Sequence, residues 1–218
     1  MLKCYKRSVG FTLVDIIIAL AIGVVVLGGA ISLYNYFILQ TTRSIQLLNL
    51  KMELYTAVDY MVTELKRAGY WNQFAVGAPG SNPFNAAAYT IIVNAGGDCI
   101  SFAYDKNGDG QLPAIGTSPQ DERFVFRLSS NVVQIRTPNA SFSCTANTGW
   151  QNLTDTSLLN VTALNFTLTA TNVVVNAHTT NVLRAVTITM TGVSPSNASV
   201  TSTITRTVKI RNNYILAT

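Results

Sequence analysis

The residues best suited to chemistry lie in one short acidic stretch, Asp105-Lys106-Asn107-Gly108-Asp109-Gly110. Oxygen-bearing side chains at alternate positions can converge on one calcium ion, and glycine in sixth place permits the sharp turn that brings them round. Asp105, Asn107 and Asp109 are therefore candidate metal ligands. A calcium loop of this kind closes at its twelfth position with a bidentate glutamate. That place falls on Gly116 here, so Asp121 or Glu122 has to fold back to supply the carboxylate. The competing reading is a solvated turn, since Asn-Gly and Asp-Gly are strong turn formers. A calcium ion in this loop clamps the fold and catalyses nothing.

Other chemistry is sparse. His178 is the sole histidine, so histidine-based transition-metal sites lack a second ligand. A hydrolytic triad built on it has no evident acid or nucleophile to orient it. The cysteines, Cys4, Cys99 and Cys144, show no Cys-x-x-Cys spacing. Cys4 falls in a basic N-terminal stretch; Cys99 and Cys144 form an even pair in the polar remainder, which in an exported segment reads as one disulfide. Closing that loop is worth about 4 kcal/mol by the chain-entropy argument. Tyr70, Trp71 and Trp150 offer a sugar-binding surface on composition alone, although such aromatics more often serve packing. The chain is expected to be no enzyme and to require no cofactor, with calcium as the single ion the pattern admits.

The elements that must position these residues begin with an apolar segment. Of the 218 residues 48% are hydrophobic and only 11% charged, roughly half the charge of an ordinary soluble domain. The net charge of +5 leans on Lys3, Lys6 and Arg7; without them 12 basic residues face 10 acidic ones, too little for a nucleic-acid footprint. Those three cations precede an apolar run, which by the positive-inside bias keeps the N-terminus cytoplasmic. From Phe11 to Leu39 the only charged side chain is Asp15, and Ile16 to Leu33 is long enough to cross a bilayer as a helix. A secretory signal cleaved near Gly28-Gly29-Ala30 is one reading, but apolar residues continue through Leu39. A plain anchor is another, but it leaves unexplained a carboxylate that costs several kcal/mol in lipid unless partnered.

The helical pattern continues beyond the apolar run. Leu47, Leu50, Leu54, Val58, Met61 and Leu65 recur at three- and four-residue steps, the stripe of an amphipathic helix. No proline interrupts residues 11–68, and Gly69 after Lys66 and Arg67 reads as the stop. One helix over that range would run about 87 Å at 1.5 Å per residue. Gly23, Gly28 and Gly29 weaken its first half or admit close packing. Residues 71–89 read as a loop, with Gly77, Pro79, Gly80 and Pro83. Beyond it, period-two alternation at Ile100/Phe102/Tyr104, Phe124/Phe126/Leu128, Leu164/Phe166/Leu168, Val186/Ile188/Met190 and Ile204/Val208/Ile210 predicts half-buried antiparallel strands with threonine-rich outer faces. The fold class is α+β, a sheet wrapped on the C-terminal half of the long helix.

Ser8-Val9-Gly10-Phe11-Thr12-Leu13-Val14-Asp15 resembles the class III signal of type IV prepilins. That resemblance implies cleavage between Gly10 and Phe11 by a prepilin peptidase and N-methylation of Phe11. It also implies that Asp15, standing where the family has Glu, pairs with the amino terminus of a neighbouring subunit. Glu64-Leu65-Lys66-Arg67-Ala68-Gly69-Tyr70-Trp71, Gln151-Asn152-Leu153-Thr154-Asp155 and Thr207-Val208-Lys209-Ile210-Arg211-Asn212 are similar to phrases of PilW-type minor pilins. The implied organisation is a leader over 1–10, an extended helix over 11–70 with 11–39 in the membrane and later the filament core, and a β-rich head over 71–218. The implied site is the inner membrane with the head in the periplasm, then the surface pilus. The implied partners are other minor pilins, the major pilin and the peptidase, with no nucleic acid. Two alternatives stay open: a minor pseudopilin of a type II secretion system, and a tip adhesin or DNA-binding module.

Overall fold

The computed structural model describes residues 10–72, 81–117, 120–176, 179–212 and 214–217. Helix α1 spans Leu13–Leu65. It ends three residues short of the expected 68, because the last turn tightens. Arg67 and Ala68 donate to Glu64 and Leu65 three residues back, and the Gly69 N–H leaves the helix for the Ala103 carbonyl at 2.9 Å. Gly69 adopts φ +73°, a conformation that a side chain would strain.

The chain forms two compact units, one ending at Ile45 and one beginning at Gln46. The first consists of the apolar part of α1. Its large side chains are exposed, Leu27 at 63% and Phe37 at 64%, and its most apolar stretch buries nothing within the chain. The hydroxyls here turn inward on their own helix: Ser32 donates to the Gly28 carbonyl at 2.9 Å and Thr41 to that of Phe37 at 2.8 Å. That pairing lowers the cost of placing a hydroxyl in hydrocarbon.

In the second unit the stripe of α1 meets its partners. Leu50, Leu54, Ala57, Val58, Met61 and Leu65 are buried, with Leu47 packed at the margin. The strands form two sheets where one was expected. The first is an antiparallel meander of β1 (Ile92–Val93), β2 (Cys99–Ala103), β3 (Arg123–Ser129), β4 (Val132–Arg136) and β5 (Trp150–Asn152). The second holds β6 (Asn160–Asn176), β7 (Thr179–Ser194), β8 (Asn197–Lys209) and β9 (Tyr214–Ala217). Strand β6 pairs along one edge of β7, while β8 and β9 share the other. Ile100, Phe102, Phe126, Phe166, Val186, Ile188 and Met190 join the helix stripe in one core.

The alternation reading holds in the second sheet. Val186, Ile188 and Met190 face inward, while Thr187–Thr207, Thr189–Thr205 and Thr191–Thr203 pair across the outer face at 2.8–3.2 Å. Such cross-strand hydroxyl pairs stabilise a sheet without charge. Arg206 interrupts the apolar face of β8 but stays useful there, its guanidinium lying 5.5 Å from the Tyr55 ring of α1. In the first sheet the half-buried expectation fails. Every residue of β2 is buried, as are the first four of β3. Loops cover the second face: Tyr89 lies 5.8 Å from Phe142, and Arg123 stacks 5.0 Å from Tyr89.

Candidate functional site

The N-terminal candidate is built on the helix start. Gly10 and Phe11 precede α1, and Phe11 is 89% exposed. Asp15 is not left alone there. Its Oδ2 accepts from the Thr12 N–H at 3.0 Å and the Thr12 hydroxyl at 2.8 Å, while the Asp15 N–H donates back to Thr12 Oγ1 at 3.3 Å. This is a reciprocal capping box, satisfying two N–H groups that a helix start leaves without partners. The signal was in the sequence as Thr-x-x-acid. Both bonds to the carboxylate use Oδ2, so capping leaves the other oxygen's lone pairs available to a cation.

The acidic candidate lies between β2 and β3. The β2–β3 register pairs Ala103 with Arg123, and the Tyr104 N–H continues the ladder to the Glu122 carbonyl at 3.1 Å. The ladder ends there: the Asp105 N–H turns to the Tyr70 carbonyl at 2.9 Å, and the turn that follows meets Glu122. One carboxylate oxygen from each of Asp105, Asp109 and Glu122 lies within 4.8 Å of the others. Asp105 is buried and organises the turn, its carboxylate accepting from the N–H groups of Gly108 at 2.6 Å, Gly110 at 2.9 Å and Asn72 at 3.0 Å. Gly110, in sixth place, takes φ +74°. Asn107 Oδ1 accepts from the Asp109 N–H at 2.9 Å. Glu122 is fully buried; Oε1 accepts from the N–H groups of Lys106 at 2.7 Å and Asn107 at 3.2 Å, while Oε2 is buried without a hydrogen-bond partner. Burial raises the Glu122 pKa, and the charges of Asp105 and Asp109 raise it further.

Asp121, the other carboxylate considered for the loop, belongs to a network that sequence reading missed. It is buried and accepts from Arg136 Nη2 at 2.6 Å, from the Asn139 N–H at 2.7 Å and from Arg123. Burial pushes its carboxyl up, but the Arg136 bond and the backbone donors outweigh that and hold it below the usual range. Arg136 and Arg123 are themselves nearly inaccessible, so this is a structural ion cluster inside the head. No sequence period announces it, because its members come from a loop and from two strands.

The three family-like phrases also gain physical meaning. Asn212 Nδ2 donates to the carbonyls of Arg67 and Ala68 at 3.1 and 3.2 Å, capping the end of α1. Thr154 Oγ1 accepts from the Val133 N–H, and the Asp155 N–H donates to Glu53 of α1 at 3.1 Å. Glu64 accepts a 2.5 Å bond from the buried Tyr104 hydroxyl. Cys99 and Cys144 are joined as a disulfide across 45 residues. Arg127 braces the same loop, donating to the Cys144 and Ala146 carbonyls while stacking 3.7 Å from the Trp150 ring. Trp71 instead donates to the Gly110 carbonyl at 2.9 Å. Each tryptophan thus has a packing role of its own. His178 and Cys4 lie outside the described residues.

No curated protein and no solved structure matches the chain. The family described as PpdB, prepilin peptidase-dependent protein B, matches residues 43–210. That match excludes the Gly10–Phe11 junction and the capped Asp15, so head and N-terminus point to prepilin-peptidase dependence through separate residues. The apolar helix is compatible with a single-pass inner-membrane anchor. By a match that covers most of its length, the chain belongs to the prepilin peptidase-dependent protein B family.

Proposed function

We propose that the chain is a PilW-like minor pilin of a type IV pilus, a structural subunit without catalytic activity. The observation that carries the reading is the exposed apolar stretch of α1, which has Asp15 as its only charged side chain and follows directly on Gly10–Phe11. Exposed apolar surface on this scale needs lipid or other helices to cover it. In the proposed sequence of events the inner membrane covers it first, with the head in the periplasm. A prepilin peptidase hydrolyses the Gly10–Phe11 bond, and the new amine on Phe11 is methylated. The helix then leaves the bilayer to bundle with those of other minor pilins and the major pilin. Asp15 docks against a neighbouring subunit's amino terminus during that transfer, since a carboxylate leaving water needs a cation beside it.

Mass spectrometry of sheared filaments and of the membrane fraction tests this. A mature chain beginning at N-methylated Phe11 in filaments is the expected result. The same mature chain in membranes alone assigns the subunit to a secretion pseudopilus. A chain beginning at Met1 or after Ala30 in both fractions overturns the prepilin reading.

A further inference from the structure

We propose that the β2–β3 connection is a calcium site in which Asp105, Asn107, Asp109 and Glu122 supply the side-chain oxygens. The inference is independent of the pilin reading. Oxygens bound to one calcium ion at about 2.4 Å can lie no more than about 4.8 Å apart, and Asp105, Asp109 and Glu122 each bring an oxygen inside that limit.

Two further observations separate this cluster from an ordinary acidic turn. Glu122 has 0% exposure, and its Oε2 has no hydrogen-bond partner although Oε1 is held by two loop N–H groups. Leaving a carboxylate oxygen dry and unpartnered is costly, and buried charges are normally paired or metal-bound. Nor does either buried carboxylate have a cation: among the described residues the ion pairs of this region go to Asp121, and none reaches Asp105 or Glu122. Lys106, the nearest lysine in sequence, lies over the Phe124 ring instead. A hard divalent cation fits an all-oxygen set of this kind.

The order of ligands departs from the usual loop in one respect. The closing glutamate does not sit at the twelfth position; it arrives from the residue just before β3. An ion there joins the turn after β2 to the strand that pairs with it. The same turn carries the segment that follows α1, since Asn72 donates to Asp105 and Gly108, and Trp71 to Gly110. Calcium thus fastens the helix end to the first sheet.

The test uses the full chain in detergent, disulfide intact and stripped with EDTA, titrated with calcium chloride by calorimetry and followed by thermal unfolding. Expected are saturable one-to-one binding in the range of about 10⁻⁵ to 10⁻³ M, a raised melting midpoint, and no comparable effect of magnesium at the same concentration. Asp109→Asn alters an exposed side chain, and Glu122→Gln removes one buried charge; each should weaken binding about tenfold or more, because ligand charge sets affinity in such sites. If Glu122→Gln does not fold, Asp109→Asn decides alone. Absence of calcium-dependent heat in the folded chain, or unchanged affinity in the variants that fold, overturns the proposal. Neither result bears on where the chain is processed.

Discussion

Helix α1 contains two regions of one secondary structure with opposite surroundings. Its side chains are exposed up to Ile45, and as far as Leu39 it is apolar all round save for Asp15 and a few small polar residues. From Gln46 to Leu65 it keeps Lys51 and Asp59 outside, buries Glu64 against the Tyr104 hydroxyl, and turns a stripe of leucine, valine and methionine into a core built by both sheets. The α-helix is equally regular in both. What differs is the cover: the chain's own strands bury the apolar surface in the second region, and none of the described residues buries it in the first. The lesson is that hydrophobicity alone does not mark a core; the angular spread of apolar residues around the helix does.

Four substitutions test that contrast. The largest effect is expected inside the self-contained unit, at Asp121→Ala. It strips the partner from buried Arg136 and Arg123, and breaking a buried pair in this way costs about 3–5 kcal/mol. Denaturant unfolding of the full chain in detergent measures it; a loss no larger than that of a surface substitution shows the cluster to be dispensable. Next comes a matched pair. Leu54→Ala in the stripe should cost about 2–5 kcal/mol, whereas Leu27→Ala in the exposed region should move the same transition by no more than about 0.5 kcal/mol. Equal losses would mean that the first region is part of the cooperative core, and the distinction would collapse. The most local effect belongs to Thr12→Ala. It removes half of the capping box, about 1 kcal/mol at the helix start. Amide exchange should quicken in the first turn of α1 while the head's unfolding is unchanged.

Much of the second region was legible because its signals are local. The steps from Leu47 to Leu65 and the alternation at Val186, Ile188 and Met190 are periods of single elements, and each found its expected face. The Cys99–Cys144 pair was legible by count, since Cys4 stood apart in the basic stretch. The capping partner of Asp15 is equally local: Thr12 stands three residues before it, in the Thr-x-x-acid spacing of a capping box. The division into two sheets and the double burial of β2 and β3 were not legible: loops that the strand pattern does not describe cover their second face.

By itself the sequence determined the long helix, its apolar first region, the strand periodicity and the acidic turn at Asp105, since each depends on residues within a few positions of one another. Tertiary structure alone decided that Glu122 joins the acidic turn while its neighbour Asp121 turns to Arg136. Adjacent residues in a strand-like segment point to opposite faces, which sends Asp121 and Glu122 apart, and the β2–β3 register ends its ladder at Tyr104–Glu122, where Asp105 turns away to the Tyr70 carbonyl and the loop comes round to Glu122. That register is a pairing between distant segments, and no pattern within either segment encodes it.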